Sequence, residues 1–362
     1  MDDRVMTAKN IFISAAAACG GTFQAVACTG ISLTARDGSY VQARTIEWSR
    51  GVLQSEYVVI PRGKEMVSYT PSGPNGFKYT VKYGVVGLSV VMKEFIAEGV
   101  NEAGLSAGLF FFPRYGSYQE YYPAKNDTTM IDMQLAQWIL SSFSSIDEVK
   151  EAISSVRIVG TAEDAAVHWR IGEKSGRQAV LEIVDGVPRF YENKVGVITN
   201  APGFEWHLTN LDNYVNLFPG DAPSRKLGEV ELYPTGGNSG FLGIPGDDTP
   251  PSRFVRAAFY RATSPQMATA FDTVLQCFHL LNNFDVPIGI EHPYGEAPDI
   301  PSATQWTSAI DLTNLRVYYK TAYNNTIRCI DLKDIDFSRV EYGSYPLDKV
   351  REQPIEMIRV GS

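Results

Sequence analysis

Cys28 stands directly after Ala25-Val26-Ala27, and that position gives it chemistry an ordinary cysteine lacks. Ala-Val-Ala has the small-x-small form of a signal-peptidase site, and the preceding IFISAAAACGGTFQAVA is Ala-rich and weakly apolar. Cleavage after Ala27 would make Cys28 the first residue of the mature chain. It would then carry two reactive groups, its thiol and an α-amine with a pKa of about 7.7–8.0. Such an amine takes the thiol proton and later returns it to a leaving group, which is the chemistry of acyl transfer. Two readings compete with this. One is a buried Ala-rich first helix. The other is a bacterial lipoprotein box, which would tether a binding protein through Cys28. Such a box wants Leu where Ala25 stands, so lipidation ranks second. Asp2 and Asp3 offset Arg4 and Lys9, whereas a start at Met6 would leave the leader net positive.

A cysteine nucleophile needs a cation to favour its thiolate, a carboxylate to orient the amine, and donors for an oxyanion. Arg44 lies at the far end of the first hairpin, where the chain reversal returns it beside Cys28; a guanidinium there favours thiolate. Glu47 is three residues on and can accept from the ammonium, although a lone Glu is more often a surface acid. Asn200 ends the strand VGVIT before Ala201-Pro202-Gly203. Its amide suits an oxyanion, though Asn before a turn is also plain turn chemistry. Arg253 follows the Gly/Pro-rich stretch 234–252 and opens the helix RFVRAAFY. Its ordinary role would be a surface arginine paired with Asp247 or Asp248.

Several patterns lead nowhere. Gly104-Leu105-Ser106-Ala107-Gly108 matches G-x-S-x-G, but LFFFP follows, a continuing strand and not the helix that motif requires. Gly236–Gly246 lacks the GK[ST] ending of a phosphate loop. His168, His207, His279 and His292 have no metal-ligand spacing, and Cys277 and Cys329 read as small buried hydrophobes. No metal or cofactor is expected.

The elements that must position these residues are strand-rich at both ends. CTGISLTARDGSYVQARTIEW reads as a hairpin about Asp37-Gly38. Strand-like runs follow at 57–61, 81–100 and 104–112, then AVHWRIGE, QAVLEIVDG, VPRFYEN and VGVITN, and later QWTSAIDL, LRVYYKTAY and TIRCIDL. Helical spacing marks 130–143, a segment capped by Ser145, and the runs FEWHLTNLDNYV, RFVRAAFYRA and PQMATAFDTVLQCFHLLNN. The expectation is an α+β fold: two antiparallel sheets face to face with helices outside, forming one domain over 28–362. A net charge of −9 with no Lys/Arg run longer than two residues argues against nucleic acid. No stretch is apolar for long enough to be an obvious membrane span; the partner expected is a small-molecule amide substrate.

Together the residues resemble the choloylglycine hydrolase family, which holds bile-salt hydrolases and penicillin V acylases. The resemblance rests on Cys28-Thr29-Gly30, on Arg44 sixteen residues after the cysteine and on Glu47-Trp48. Further blocks agree in order: Asn101-Glu102-x-Gly104-Leu105, Thr199-Asn200-x-Pro202-x-Phe204, His207-Leu208-x-Asn210-Leu211, Pro245-Gly246-Asp247, Ser252-Arg253-Phe254 and Gln305-Trp306-Thr307-Ser308. It implies a four-layer αββα N-terminal-nucleophile fold, export to a bacterial periplasm, and a homo-oligomer, a tetramer. By position, Cys28 is the implied nucleophile, Arg44 polarises the thiol, Asn200 donates to the oxyanion and Arg253 joins the charge network. Glu47 stands where many members have Asp. Where some members carry a side-chain amide near Phe111, this chain is aromatic. A backbone N–H, most simply that of Thr29, is therefore expected as the second oxyanion donor. Phe110, Phe111, Phe112, Tyr115 and Tyr118 are candidate lining for an apolar acyl group, about half of them expected in the core because strand residues alternate. Conjugated bile salts are the favoured substrate, with penicillin V or another N-acyl amide as the alternative.

Overall fold

The computed structural model describes residues 27–49, 53–161, 165–292, 294–298 and 302–360. The expected leader, apart from Ala27, lies outside the described residues, and so does Cys19.

The first hairpin forms as its turn residues dictate. β1 (Cys28–Thr34) and β2 (Tyr40–Trp48) are joined through Gly38 at φ +87°, with the Ala35 N–H donating to Ser39 O at 2.8 Å. A positive φ is cheap only for glycine, so Asp-Gly supplies the turn. The resulting register puts Cys28 opposite Ile46 and Gly30 opposite Arg44. Beyond it come β3 (Glu56–Ile60), β4 (Val85–Val90), β5 (Met92–Asn101) and β6 (Leu105–Phe111), then β7 (Val167–Glu173), β8 (Gln178–Val184), β9 (Val187–Glu192) and β10 (Val197–Ile198). The last four are β11 (Ala303–Asp311), β12 (Arg316–Thr321), β13 (Asn324–Asp331) and β14 (Gly343–Pro346).

These strands build two antiparallel sheets. One has the order β10-β1-β2-β11-β12-β13; the other has the order β9-β8-β7-β6-β5-β4-β3-β14. The run 81–100 is two strands and not one, because Val91 turns at φ +66° between them. The sheets lie face to face. Gln42 meets Ser106 at 2.5 Å, and Arg44 of β2 reaches the carbonyls of Ala97 and Leu109 on the other sheet. Ser106 is therefore a buried strand serine in an inter-sheet contact, as its failed context suggested.

Helices cover both outer faces. α1 (Leu135–Ser142) packs on β5 and β6. It starts later than 130, since Thr129–Ile131 is a short strand paired parallel with Arg157–Val159, followed by a 3-10 turn. α2 (Ile146–Ala152) is capped as expected, Ser145 Oγ accepting from the Glu148 N–H at 3.2 Å. α3 (Phe204–Leu211) contacts α4 (Pro250–Thr263), and α4 and α5 (Ala270–Leu281) lie on the sheet of β1. The result is the expected α+β sandwich in the layer order αββα. An exposed hairpin, Arg225–Leu227 with Val230–Leu232, was not foreseen. No helix among the described residues is long and apolar enough to cross a membrane.

Candidate active site

Three elements converge on Cys28. It opens β1, whose neighbour β10 ends two residues before Asn200, so sheet pairing alone brings the two together. The Cys28 N–H donates to Asn200 Oδ1 at 2.9 Å, and Asn200 Nδ2 donates to Phe111 O at 3.0 Å. From the outer layer, α4 drives Arg253 inward. Its guanidinium donates to Cys28 O at 2.5 Å, Thr29 Oγ1 at 2.9 Å, Asn200 Oδ1 at 2.7 Å and Asp248 O at 2.8 Å. All three residues are at most 2% exposed. A fully buried guanidinium is tolerable because its donors are used and anionic groups lie near.

Electrostatics pull in both directions. Burial pushes the Cys28 thiol up and nearby Glu47 adds to this, while Arg44, Arg253 and a backbone hydrogen bond from Phe111 pull it back. Of the two backbone polar groups of Phe111 only the N–H can favour a thiolate, so the N–H is the group that acts on the sulfur. Burial raises Glu47 to about 8 against the opposing pull of Arg253, Thr45, Thr304 and Arg44. Its Oε1 accepts from Thr304 Oγ1 at 2.9 Å, and its buried Oε2 has no partner. Arg44 lies between the sheets, 4.1 Å above the Phe110 ring and 3.8 Å from Glu98, with its second terminal nitrogen unpartnered.

The structure thus brings Cys28, Asn200 and Arg253 into direct contact and sets Arg44 and Glu47 around them. With Ala27 attached, Cys28 has a single N–H, and it goes to Asn200. The structure corrects two expectations. The Thr29 N–H is committed to Thr45 Oγ1 at 3.2 Å, leaving the Phe111 N–H as the backbone donor beside the sulfur. Finally, of the proposed lining residues only Phe111 faces the cavity beside the site. That cavity, about 410 Å³, is bounded by Ala27, Phe111, Pro113, Asn200, Pro250, Arg253 and other residues including Asp248 and Glu291. Phe110 is core, Phe112 stacks on His168 at 4.4 Å, and Tyr115 is exposed against Phe112. Tyr118 is tied to Val167 O at 2.8 Å. Cys277 is buried as expected, but Cys329 is exposed at the edge strand β13.

Sequence reasoning missed the residues behind the site: Glu98 and Arg170 between the sheets, and His168, Glu182 and His207 around Asn200. Each is a buried polar residue on an otherwise apolar element, a weak signal that points to a partner without naming it.

The chain as a whole matches known proteins. The family model described as linear amide C–N hydrolases, choloylglycine hydrolase family, matches residues 28–345, beginning at Cys28 itself. A bile salt hydrolase/transferase of Clostridium perfringens is 33% identical over 330 residues, spanning 89% of this chain and 97% of that protein. A solved cysteine-to-alanine mutant of conjugated bile acid hydrolase from the same organism superposes with a TM-score of 0.79 at 30% identity, covering 92% of this chain and all of the other. A second solved variant of it carries an arginine-to-leucine change sixteen positions further on, the separation of Cys28 and Arg44 here. Penicillin V acylase from Agrobacterium tumefaciens gives 0.70 at 25% identity, over 88% of this chain and 90% of that one.

Proposed function

This chain belongs to the choloylglycine hydrolase family of linear amide C–N hydrolases, and on that premise we propose that it hydrolyses conjugated bile salts through Cys28, releasing glycine or taurine. The observation that carries the reading is the Cys28–Asn200–Arg253 cluster at the end of an apolar-sided cavity. Ala27 lines that cavity while Cys28 is 1% exposed, so removing the leader both uncovers the sulfur and frees its amine.

The reaction follows from the donors available. The α-amine takes the thiol proton, the sulfur forms a bond to the amide carbon, and the carbonyl electron pair moves to oxygen. Asn200 Nδ2 has two hydrogens and spends one on Phe111 O; the other, with the Phe111 N–H, serves the oxyanion. As the tetrahedral species collapses, the C–N bond breaks and the ammonium protonates the departing nitrogen. Water, deprotonated by the amine, then attacks the thioester and restores the thiol. Arg253 holds both Cys28 O and Asn200 Oδ1, fixing nucleophile and oxyanion donor relative to each other.

The deciding measurement is release of free glycine and taurine from glycocholate and taurocholate by protein beginning at Cys28. Release that disappears in Cys28→Ala supports both substrate and nucleophile. Activity retained in that variant refutes the mechanism. No release from correctly processed protein, with turnover of penicillin V instead, moves the substrate to the acylase class on the same machinery. A lipid tether through Cys28 is opposed by the burial of that side chain, and a free thiol at a processed N-terminus excludes it.

A further inference from the structure

Two histidines grip the backbone that presents Asn200. His168, on β7, brings Nε2 within 3.1 Å of Thr199 O, and His207, on α3, brings Nε2 within 2.9 Å of Asn200 O. Carbonyl oxygens only accept, so both rings carry a hydrogen on Nε2. The other nitrogen of His168 faces Glu182 Oε1 at 3.3 Å. The same oxygen accepts the Phe204 N–H at 2.8 Å, at the first turn of α3. The rings are held flat as well. His168 stacks on Phe112 at 4.4 Å, and His207 stacks on Phe254 at 4.5 Å. Phe254 follows Arg253, so one turn of α4 holds both His207 and the Asn200 amide. None of the three polar side chains lines the cavity, and the proposed chemistry uses none of them.

We propose that His207, and His168 together with Glu182, are positioning residues that fix the Asn200 backbone so that its amide meets the oxyanion. This rests on the reading of Asn200 as an oxyanion donor. Such a donor works only within roughly 2.7–3.1 Å of the oxygen, and about 1 Å of misplacement costs up to a hundredfold in rate. Burial holds His207 down at about 4, keeping the ring neutral with its Nε2 hydrogen in place.

The test compares His207→Leu, which removes the donor, with His207→Gln, which keeps an N–H at similar reach. Both are made in wild type and in Asn200→Ala, and kcat and KM are measured on glycocholate, or on penicillin V if that is what the enzyme cleaves. The Leu change should lower kcat about ten- to a hundredfold with KM within about twofold, and Gln should recover most of the loss. In the Asn200→Ala background the Leu change should add no further loss. An equal loss in both backgrounds, or a rise in KM at constant kcat, overturns the proposal. A crippled Asn200→Ala beside a normal His207→Leu removes the clamp alone, whereas full activity in Asn200→Ala removes the oxyanion reading and the clamp with it. Should the Leu variant not fold, His207→Asn, too short to reach the carbonyl, takes its place in the same comparison.

Discussion

A carboxyl group buried with one oxygen unpartnered resists ionisation, and Glu47 is in that position. Its folded value near 8 lies above the 4.5 of an exposed Glu. The folded unprocessed chain therefore keeps a proton that the unfolded chain sheds between those values. The stability this contributes is complete below about pH 4.5 and is lost as pH rises through 8. Glu47→Gln cannot shed that proton, so its urea midpoint should fall less than the parent's between pH 5 and pH 8.5; parallel curves would contradict the assignment. The thiol follows similar logic. Burial covers Cys28 and raises it, so alkylation by iodoacetamide should be slow in the Ala27-extended chain and faster in protein that begins at Cys28, as read by intact mass. Equal rates would mean that Ala27 does not shield the sulfur. The Ala25-Val26-Ala27 context drew attention to Cys28, whereas Asn200 and Arg253 stood out only through the family resemblance, since by residue type alone they read as a turn amide and a surface arginine. Residue types did not settle which way each Phe of 110–112 points, because a strand's parity is fixed by pairing partners far away in sequence.

Local elements were the most readable layer, because turn and cap chemistry is local. Asp37-Gly38 made its hairpin and Ser145 its cap. The stretch 234–252 was harder: its last residues, Pro250 to Ser252, are the first turn of α4, where proline's missing N–H does no harm. Asp247 braces the turn that leads into α4. Its Oδ1 accepts the Thr249 N–H at 2.9 Å, its Oδ2 accepts Ser252 Oγ at 2.6 Å, and its carbonyl holds Arg256 at 3.2 Å. Hydrogen bonds from Ser252 and Thr249 pull its pKa down to about 2. That stabilisation is present above the ordinary aspartate value and is lost as pH falls toward 2. Asp247→Ala should cost about 1 kcal/mol, the usual net worth of a hydrogen bond, and should lower kcat because the same turn aims Arg253 at Cys28 and Asn200. Calorimetry and steady-state rates check the two halves. A destabilised variant with unchanged kcat would show that Arg253 is held without Asp247.

At the scale of the molecule, the two sheets are joined by an ionic cluster that no local pattern announced. Glu98 accepts Arg170 through both oxygens at 3.1 Å and lies 3.8 Å from Arg44. The Phe110 ring lies 4.1 Å from the Arg44 guanidinium and 5.5 Å from that of Arg170. Arg170 also donates to Ile31 O and Ala43 O, so one side chain ties β1 and β2 to the opposite sheet. The cluster accounts for two glycines that looked like motif residues. A Cβ on Gly108 would fall 2.2 Å from Glu98 Oε2, and one on Gly30 would fall 2.9 Å from the Arg170 guanidinium and the Phe110 ring. Thus Gly30, two residues after Cys28, and the last glycine of the misleading G-x-S-x-G are both spacers for buried charge. Two buried guanidiniums thus share one buried carboxylate. Removing that anion alone leaves two guanidiniums facing each other, which should cost about 3–5 kcal/mol for Glu98→Gln. Replacing Arg170 as well, in Glu98→Gln/Arg170→Met, removes one cation and should restore most of the loss. Guanidinium-chloride unfolding of the two variants decides it. If the double variant is no more stable than the single one, Glu98 is not there to neutralise the arginines, and the sheets are held together by apolar packing around Phe110 instead.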